Sequence, residues 1–170
     1  MQDERYAPEN NPHDLTNAPR KPRIVPNILV TGVPGAGKTT LCQLLVDQLN
    51  TSLDQVFGTK DQKYYTYLNC AEIINENKLW SGWDEKMNCS ILDDDKVVDF
   101  LEDRVSMGGV ILEFHSCDFF PERWFDLVVL IRVDNQILYK RLEAREYSKH
   151  KITNNSKEKI SLKHPLSYIS

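Results

Sequence analysis

Residues 32–39 have the sequence GVPGAGKT and match the pattern G-x-x-x-x-G-K-[ST] in full. The apolar run ILV at 28–30 precedes this stretch, and leucines at helical spacing follow it in residues 39–50. Strand, glycine loop and helix in this order form the context in which the pattern binds phosphate, because the glycines let backbone N–H groups turn inward and the helix adds its positive dipole end. The stretch therefore predicts a nucleotide site. The alternative is a glycine turn that carries an incidental lysine.

The polar side chains of this region suggest separate tasks. Lys38 supplies a point charge, and the Thr39 hydroxyl is a candidate magnesium ligand. Such a site also needs a carboxylate at the end of a neighbouring strand, and Glu113 follows the apolar run at 110–112. We predict a magnesium-shell role for Glu113, against an ordinary strand-end carboxylate. For His115 we predict a positioning or switch role near the phosphates, against a hydrogen-bonded structural histidine.

The remaining pattern alternates strands and helices, which predicts an α/β fold with a parallel sheet and helices on both faces. The apolar run at 126–133 indicates a strand covered on both faces, and residues 51–62 are expected to form a surface loop. We predict strands at 28–30, 64–68 and 110–112. We also predict a short helix at 71–77 and a helix that starts at 93–95 and ends at Gly108. Two amphipathic helices are predicted as well: one at 39–50, whose core side carries Leu41, Leu44, Leu45 and Leu49, and one capped by Asp134, which carries Ile137, Leu138 and Leu142.

The composition is that of one soluble globular domain: 170 residues, 41% hydrophobic and 27% charged. This balance excludes fibrous, collagen-like and wholly disordered chains. No apolar run approaches the roughly 18 residues that span a bilayer, so we expect no membrane association. The formal net charge of −4 excludes a global positive field that draws the chain onto nucleic acid, so any RNA contact would be local or through a partner. The cysteines, Cys42, Cys70, Cys89 and Cys117, contain no C-x-x-C pair, which favours inert thiols over a zinc site or a disulfide framework.

Two further segments have a distinct composition. Residues 1–25 contain many prolines and few hydrophobic residues, so we expect a flexible arm, in which RKPR at 20–23 is either a weak nuclear-import patch or a solvated linker. The cluster that follows the last predicted helix suits a mobile lid over the transferring phosphoryl group, with a solvated basic face as the alternative. That cluster consists of Arg141, Arg145, Tyr147, Lys149 and Lys151.

A GTPase is disfavoured, because residues 113–116 (EFHS) lack the D-x-x-G switch and 59–61 (TKD) lacks the spacing of a guanine reader.

Three stretches resemble the adenylate kinase isoenzyme 6 family, whose members are nuclear adenylate kinases and ribosome-assembly ATPases. They are PNILVTG at 26–32, CSILD at 89–93 and HSCDFFPERWF at 115–125, the last of which is highly specific to that family. The resemblance covers 26–155 as a P-loop kinase domain of the nucleoside monophosphate kinase type, with an insertion within 51–63. It implies a monophosphate-binding region at about 69–92 and a lid at about 144–155.

The resemblance also implies functional residues and partners. For ATP these are Gly35, Gly37, Lys38, Thr39 and Thr40, with Glu113 and His115 as the Walker B element, Thr39 and Glu113 as the magnesium residues, and Arg145 as the lid arginine. The implied reaction is reversible phosphoryl transfer from MgATP to AMP, with CMP as a further candidate acceptor, together with ATPase activity. A role in small-subunit ribosome maturation and rRNA processing is implied too, through a ribosomal protein of the small-subunit platform and the pre-ribosome, in the nucleus and the cytoplasm. We expect a monomer.

The chain departs from the family pattern at three places. Glu113 stands where an aspartate is common, and Asn75 where many members have a basic residue. Residues 156–170 form a divergent tail in place of the family's last strand and helix. Two other readings follow: a catalytically weak or inactive nucleotide-binding module for ribosome assembly, and a P-loop kinase for another small acceptor.

Overall fold

The computed structural model describes residues 23–85 and 89–144. Most of the predicted arm, Arg145 with almost all of the predicted lid, and the predicted tail at 156–170 lie outside these ranges. The strands are β1 (Ile28–Thr31), β2 (Thr66–Asn69), β3 (Trp80–Asp84), β4 (Cys89–Leu92), β5 (Val110–Glu113) and β6 (Leu127–Leu130). The helices are α1 (Lys38–Phe57), α2 (Cys70–Asn77), α3 (Asp94–Ser106) and α4 (Asn135–Glu143), and a 3-10 turn covers Glu122–Trp124.

Four strands form one parallel sheet in the order β2-β5-β1-β6, as the alternating pattern predicts. In this sheet Val30 of β1 lies opposite Glu113 of β5, and Asn69 of β2 lies opposite the same glutamate. The strand order reverses around β1, and ligands of open α/β sheets bind beyond the carboxyl ends of the strands at such a point. The glycine loop leaves β1 at this edge.

The side chains of β1 alternate between two hydrophobic clusters. Leu29 packs in a cluster with α2, α3 and the aromatic segment after β5, whereas Ile28 and Val30 pack with α1. The predicted arrangement of helices on both faces of the sheet is therefore confirmed. Within the described ranges, no helix is both long and apolar enough to cross a bilayer.

The first helix is longer than predicted. It continues past residue 50 to Phe57, so the surface loop expected at 51–62 is wrong over its first half. The helix continues because Leu49 and Leu53 still pack against the α1 side of the sheet. It ends at Gly58, which adopts the left-handed conformation with φ of 66° and donates its N–H to a carbonyl of the last turns.

The strand predicted at 126–133 is shorter and less covered than expected. β6 ends at Leu130, and in the described part of the chain it pairs only with β1. Leu127 is 53% exposed and Val128 is 42% exposed, so the prediction that both faces are covered is wrong at this strand. Its position at the edge of the sheet explains the exposure.

Two helix predictions and one omission remain. Asp134 caps α4 as predicted, and Leu138 and Leu142 are buried, but Ile137 is 48% exposed and does not belong to the core side. The same correction applies to Leu44 of α1, which is 57% exposed. The antiparallel hairpin of β3 and β4 was not predicted.

Candidate functional site

The glycine loop joins the end of β1 to the first turn of α1, and its backbone needs glycine. At Gly32, where φ is 144°, an added Cβ would lie 2.7 Å from the carbonyl oxygen of Ile131. At Gly35, where φ is 83°, an added Cβ would lie 3.1 Å from the side chain of Leu142. The loop is therefore packed closely between the segment that follows β6 and helix α4.

The amino terminus of α1 is shaped to receive an anion. Gly37 occupies the N-cap position with φ of 102°, and the helix begins at Lys38. A glycine has no side-chain oxygen to accept a hydrogen bond from the first N–H groups of the helix. These groups and the positive end of the helix dipole are what a phosphate requires.

Lys38 is held within the loop. Its side chain is buried, and Nζ donates to the carbonyl oxygen of Gly32 at 2.8 Å and to that of Val33 at 3.3 Å. Both acceptors belong to the glycine loop itself. The ammonium group therefore stands at the loop, where the sequence predicts the phosphates of a nucleotide.

A second cation approaches the same loop from α4. The Arg141 guanidinium donates from Nη1 to the carbonyl oxygens of Gly35 and Ala36, each at 3.3 Å. A cavity of about 490 Å³ opens between α4 and the first turns of α1. It is lined by Gly35, Ala36, Gly37, Thr40, Leu41, Leu44 and Arg141, so the exposed Leu44 faces a space beside the loop.

The carboxylate predicted at the end of a strand, that of Glu113, lies next to the Thr39 hydroxyl, which was predicted to bind magnesium. Glu113 is 7% exposed at the end of β5, and its Oε1 accepts a hydrogen bond from Thr39 Oγ1 at 2.9 Å. Its other oxygen, Oε2, accepts a hydrogen bond from the hydroxyl of Tyr67 on β2. The structure thus brings Lys38, Thr39 and Glu113 to one edge of the sheet, and adds Tyr67.

The donor set fits a magnesium ion that arrives with a nucleotide. A hydroxyl and a carboxylate are oxygen ligands, which magnesium prefers, and magnesium usually binds through one or two protein groups, several waters and substrate phosphates. In residues 23–85 and 89–144, no group of three histidine, cysteine or acidic side chains is placed to hold a metal ion. Thr39 and Glu113 therefore fit the metal shell of a nucleotide better than a cage made of protein alone.

Burial shifts the proton equilibria around Glu113. The pKa of the Tyr67 phenol is raised well above its usual range, first by burial and then by the hydrogen bond and the charge of Glu113, so this hydroxyl remains a donor at neutral pH. Burial, with the charge of Glu113, also raises the pKa of the Cys42 thiol to about 12. Cys42 and Cys70 are buried free thiols, and Cys117 is half-buried.

Two predicted site residues are not joined to this cluster by the contacts above. His115 is exposed beyond the end of β5, with its ring centroid 4.3 Å from that of Phe114, and its positioning role stays a prediction. Arg145 lies outside the described residues. Tyr67 was missed, although the apolar strand to which it belongs was predicted, because the sequence does not show which residues of β2 and β5 lie side by side.

The sheet order, the glycine loop and the paired hydroxyl and carboxylate define an α/β P-loop NTPase domain. A model of the AAA domain family matches residues 28–161. An adenylate kinase isoenzyme 6 homolog of Dictyostelium discoideum is 43% identical over 76% of this chain and 66% of its own length. One of Drosophila melanogaster is 38% identical over 79% of this chain and 69% of its own length. The chain therefore belongs to the family of adenylate kinase isoenzyme 6 homologs, a kinase-like family of nucleotide-binding proteins.

The match to these relatives is partial in length. Across seven such homologs the chain spans between 52% and 73% of the relative's own length. Among solved structures, a chain of the Pnkp1/Rnl/Hen1 RNA repair complex is similar with a TM-score of 0.52 and 14% identity, over 88% of this chain and 48% of that one. The similarity to the chain of the RNA repair complex concerns the fold alone.

Proposed function

We propose that the chain is a nucleoside monophosphate kinase that transfers the γ-phosphoryl group of MgATP to AMP, with CMP as a further candidate acceptor, and that it also hydrolyses ATP. The observation that carries the proposal is the hydrogen bond of 2.9 Å between Thr39 and Glu113 at the mouth of the glycine loop. The family to which the chain belongs supports a kinase over other P-loop functions.

The reaction needs little covalent work from the protein. The bond between the γ-phosphorus and its bridging oxygen to the β-phosphate breaks, a phosphate oxygen of AMP forms the new bond, and two ADP result. Positioning and charge stabilisation therefore supply the rate. Magnesium, when bound with ATP, neutralises charge on the β- and γ-phosphate oxygens.

The residues of this chain then have distinct roles. Thr39 and Glu113 hold the metal shell, and the backbone of Gly35 and Gly37 cradles the phosphates together with Thr40 at the start of α1. The ammonium group of Lys38 stabilises the negative charge of the transferring phosphoryl group. In the structure its ammonium already lies 2.8 Å from the carbonyl oxygen of the first loop glycine, so it is placed without a large movement of the backbone. We assign Arg145, from the resemblance, to closure over the transferring group.

The acceptor is expected at residues 69–92. Asn69, the last residue of β2, lies opposite Glu113 in the sheet, and α2 begins at the next residue, so this segment starts at the same edge as the metal shell. Asn75 is exposed on α2 and carries no charge. Because a charged donor binds phosphate more strongly than a neutral amide, we expect weak affinity for the monophosphate.

Asn75 also favours a second candidate function. In this reading the chain binds nucleotide as a conformational ligand and serves as a ribosome-assembly module without monophosphate kinase activity. Under either reading we propose, from the family resemblance, a role in small-subunit maturation. The partner would be a ribosomal protein of the small-subunit platform, and the chain would work as a monomer in the nucleus and the cytoplasm.

The test is ADP formation from MgATP by the purified 170-residue chain, with and without AMP. Lys38→Ala is the informative variant, and Lys60→Ala is its control, because Lys60 is an exposed lysine in the segment between α1 and β2. ADP that requires AMP and Lys38 supports the kinase. ADP that ignores AMP supports an ATPase only. Nucleotide binding without turnover, together with binding of the platform protein by both variants, favours the module, and a folded chain that binds no nucleotide refutes both functions.

A further inference from the structure

The carboxylate of Glu113 has a separate hydroxyl donor on each of its oxygens. Thr39, on the helix that follows the glycine loop, donates to Oε1, and Tyr67, on the neighbouring strand, donates to Oε2. Two donors from two different elements fix both the position of the carboxylate and the rotation about its last bond. The Thr39 contact belongs to the proposed metal shell, and the Tyr67 contact has no part in the function described above.

We propose that Tyr67 is a positioning residue for Glu113, whose hydroxyl keeps Oε1 turned toward Thr39 and toward the magnesium shell of a bound nucleotide. This inference rests on the proposed function, because it assigns a role to a neighbour of the proposed metal residue. Tyr67 acts through Glu113.

The strand register explains how the phenol reaches this carboxylate. Tyr67 lies opposite Ile111, which is two residues before Glu113 on β5. Residues two apart on a strand lie on the same face of the sheet, and a diagonal neighbour is within reach of an aromatic side chain. Tyr67 and Ile111 both pack on the α1 side of the sheet, the side from which Thr39 also approaches.

The length of the acid gives this contact its importance. A glutamate has one more rotatable bond than an aspartate, so its carboxylate has more orientations to lose when it binds a metal shell. The Glu113 side chain is also nearly buried, and an unpaired carboxylate oxygen there is costly. The Tyr67 hydroxyl removes both difficulties, because it satisfies Oε2 and fixes the carboxylate.

The direction of this hydrogen bond follows from the two groups. The Tyr67 hydroxyl donates, and Oε2 of Glu113 accepts. Groups that support a metal-bound residue in this way commonly change metal affinity when they are lost.

The test replaces Tyr67 with phenylalanine and measures how ATP binding depends on magnesium. A fluorescent ATP analogue is titrated in EDTA and then at increasing Mg²⁺ concentration, and circular dichroism verifies that each variant is folded. We expect Tyr67→Phe to raise the Mg²⁺ concentration for half-maximal binding by about tenfold and to leave affinity in EDTA within about twofold. Tyr65→Phe is the matched control, since Tyr65 is a buried tyrosine next to β2 that lines a groove formed with the segment before β1.

A second variant tests the route through Glu113. In a Glu113→Asp background the shorter side chain no longer reaches the Tyr67 hydroxyl. Adding Tyr67→Phe to that background is therefore expected to change the Mg²⁺ requirement by less than about twofold, which is a non-additive result. If Tyr67→Phe does not fold, Tyr67→Leu is the second variant without the hydroxyl, and the proposal requires the same rise in the Mg²⁺ requirement from it.

The outcomes separate this role from the proposed function. A wild-type chain whose ATP affinity does not respond to Mg²⁺ would overturn the proposed function and the role of Tyr67 together. A responsive wild type beside a Tyr67→Phe variant with the same Mg²⁺ requirement would overturn only the role of Tyr67. A loss of affinity in EDTA that equals the loss in Mg²⁺ would show a packing role instead.

Discussion

Asn27 joins three parts of the fold at the amino ends of the sheet strands, the end opposite the glycine loop. It is fully buried immediately before β1. Its Oδ1 accepts from the backbone N–H of Val110 at 3.0 Å, and its Nδ2 donates to the carbonyl oxygens of Val105 at 2.7 Å and Trp124 at 2.8 Å. One amide therefore links β1 to the end of α3, the start of β5 and the turn before β6, and so supports the register that brings the loop and Glu113 together.

The cost of Asn27→Ala can be worked out from these bonds. A buried backbone group left without a partner costs about 1–3 kcal/mol. The Val105 carbonyl still accepts a hydrogen bond from the N–H of Gly108 at 3.2 Å, so its contribution to the cost is small. The Val110 N–H and the Trp124 carbonyl lose their side-chain partner and account for most of the cost. We therefore expect a decrease of about 4 kcal/mol in the free energy of unfolding. That is a large part of the roughly 5–15 kcal/mol typical of a domain.

Urea unfolding followed by circular dichroism measures this difference. Asn77→Ala is the control, because Asn77 is an exposed residue whose Nδ2 donates to one carbonyl, that of Ile73, at 2.9 Å. We expect the control to lose less than about 1 kcal/mol. An Asn27→Ala variant that unfolds within about 1 kcal/mol of the wild type, with an unchanged slope against urea, would refute this reasoning.

Two further predictions concern the loop and the buried thiols. Gly32→Ala is expected to lower ATP affinity by about tenfold or more, because its Cβ would meet the Ile131 carbonyl oxygen at 2.7 Å and displace the loop. A nucleotide titration within twofold of the wild type contradicts this. Burial raises the pKa of Cys42 and Cys70 from 9.0 to about 12, so above pH 9 the unfolded chain binds fewer protons than the folded chain. The free energy of unfolding should therefore fall as pH rises from 9 to 12, and by less in a variant with alanine at both positions; equal pH dependence of the two would refute the assignment.

The local parts of the fold were predictable from the sequence. The strand, glycine loop and helix around residues 28–39 follow from short-range signals, because turn glycines, capping residues and apolar spacing each act over a few positions. The same holds for the cap at Asp134, whose side chain accepts a hydrogen bond from the first turn of α4. Asp93 was expected within the first turn of α3 and instead caps that helix. The pairing of Thr39 with Glu113 was predictable too, since both were expected at the carboxyl edge of one parallel sheet.

The features that were missed depend on contacts between distant residues. Helix α1 passes residue 50 because Leu53 packs against the sheet one helical turn after Leu49, a spacing that the prediction of a polar loop at 51–62 overlooked. Leu127 and Val128 look like core residues in sequence, but they lie on β6, which is the outer strand of the sheet that the described residues form. The contact of Tyr67 with Glu113 depends on the register of β2 against β5, which tertiary packing sets and no local pattern records.

Conversion of labelled AMP tests the central proposal most directly. The purified chain is incubated with MgATP and AMP that carries an isotopic label in its adenine ring, and the labelled products are separated. The account predicts labelled ADP that requires Mg²⁺ and is abolished by Lys38→Ala. A folded chain that binds MgATP while all of the label stays in AMP would contradict the assignment as a nucleoside monophosphate kinase.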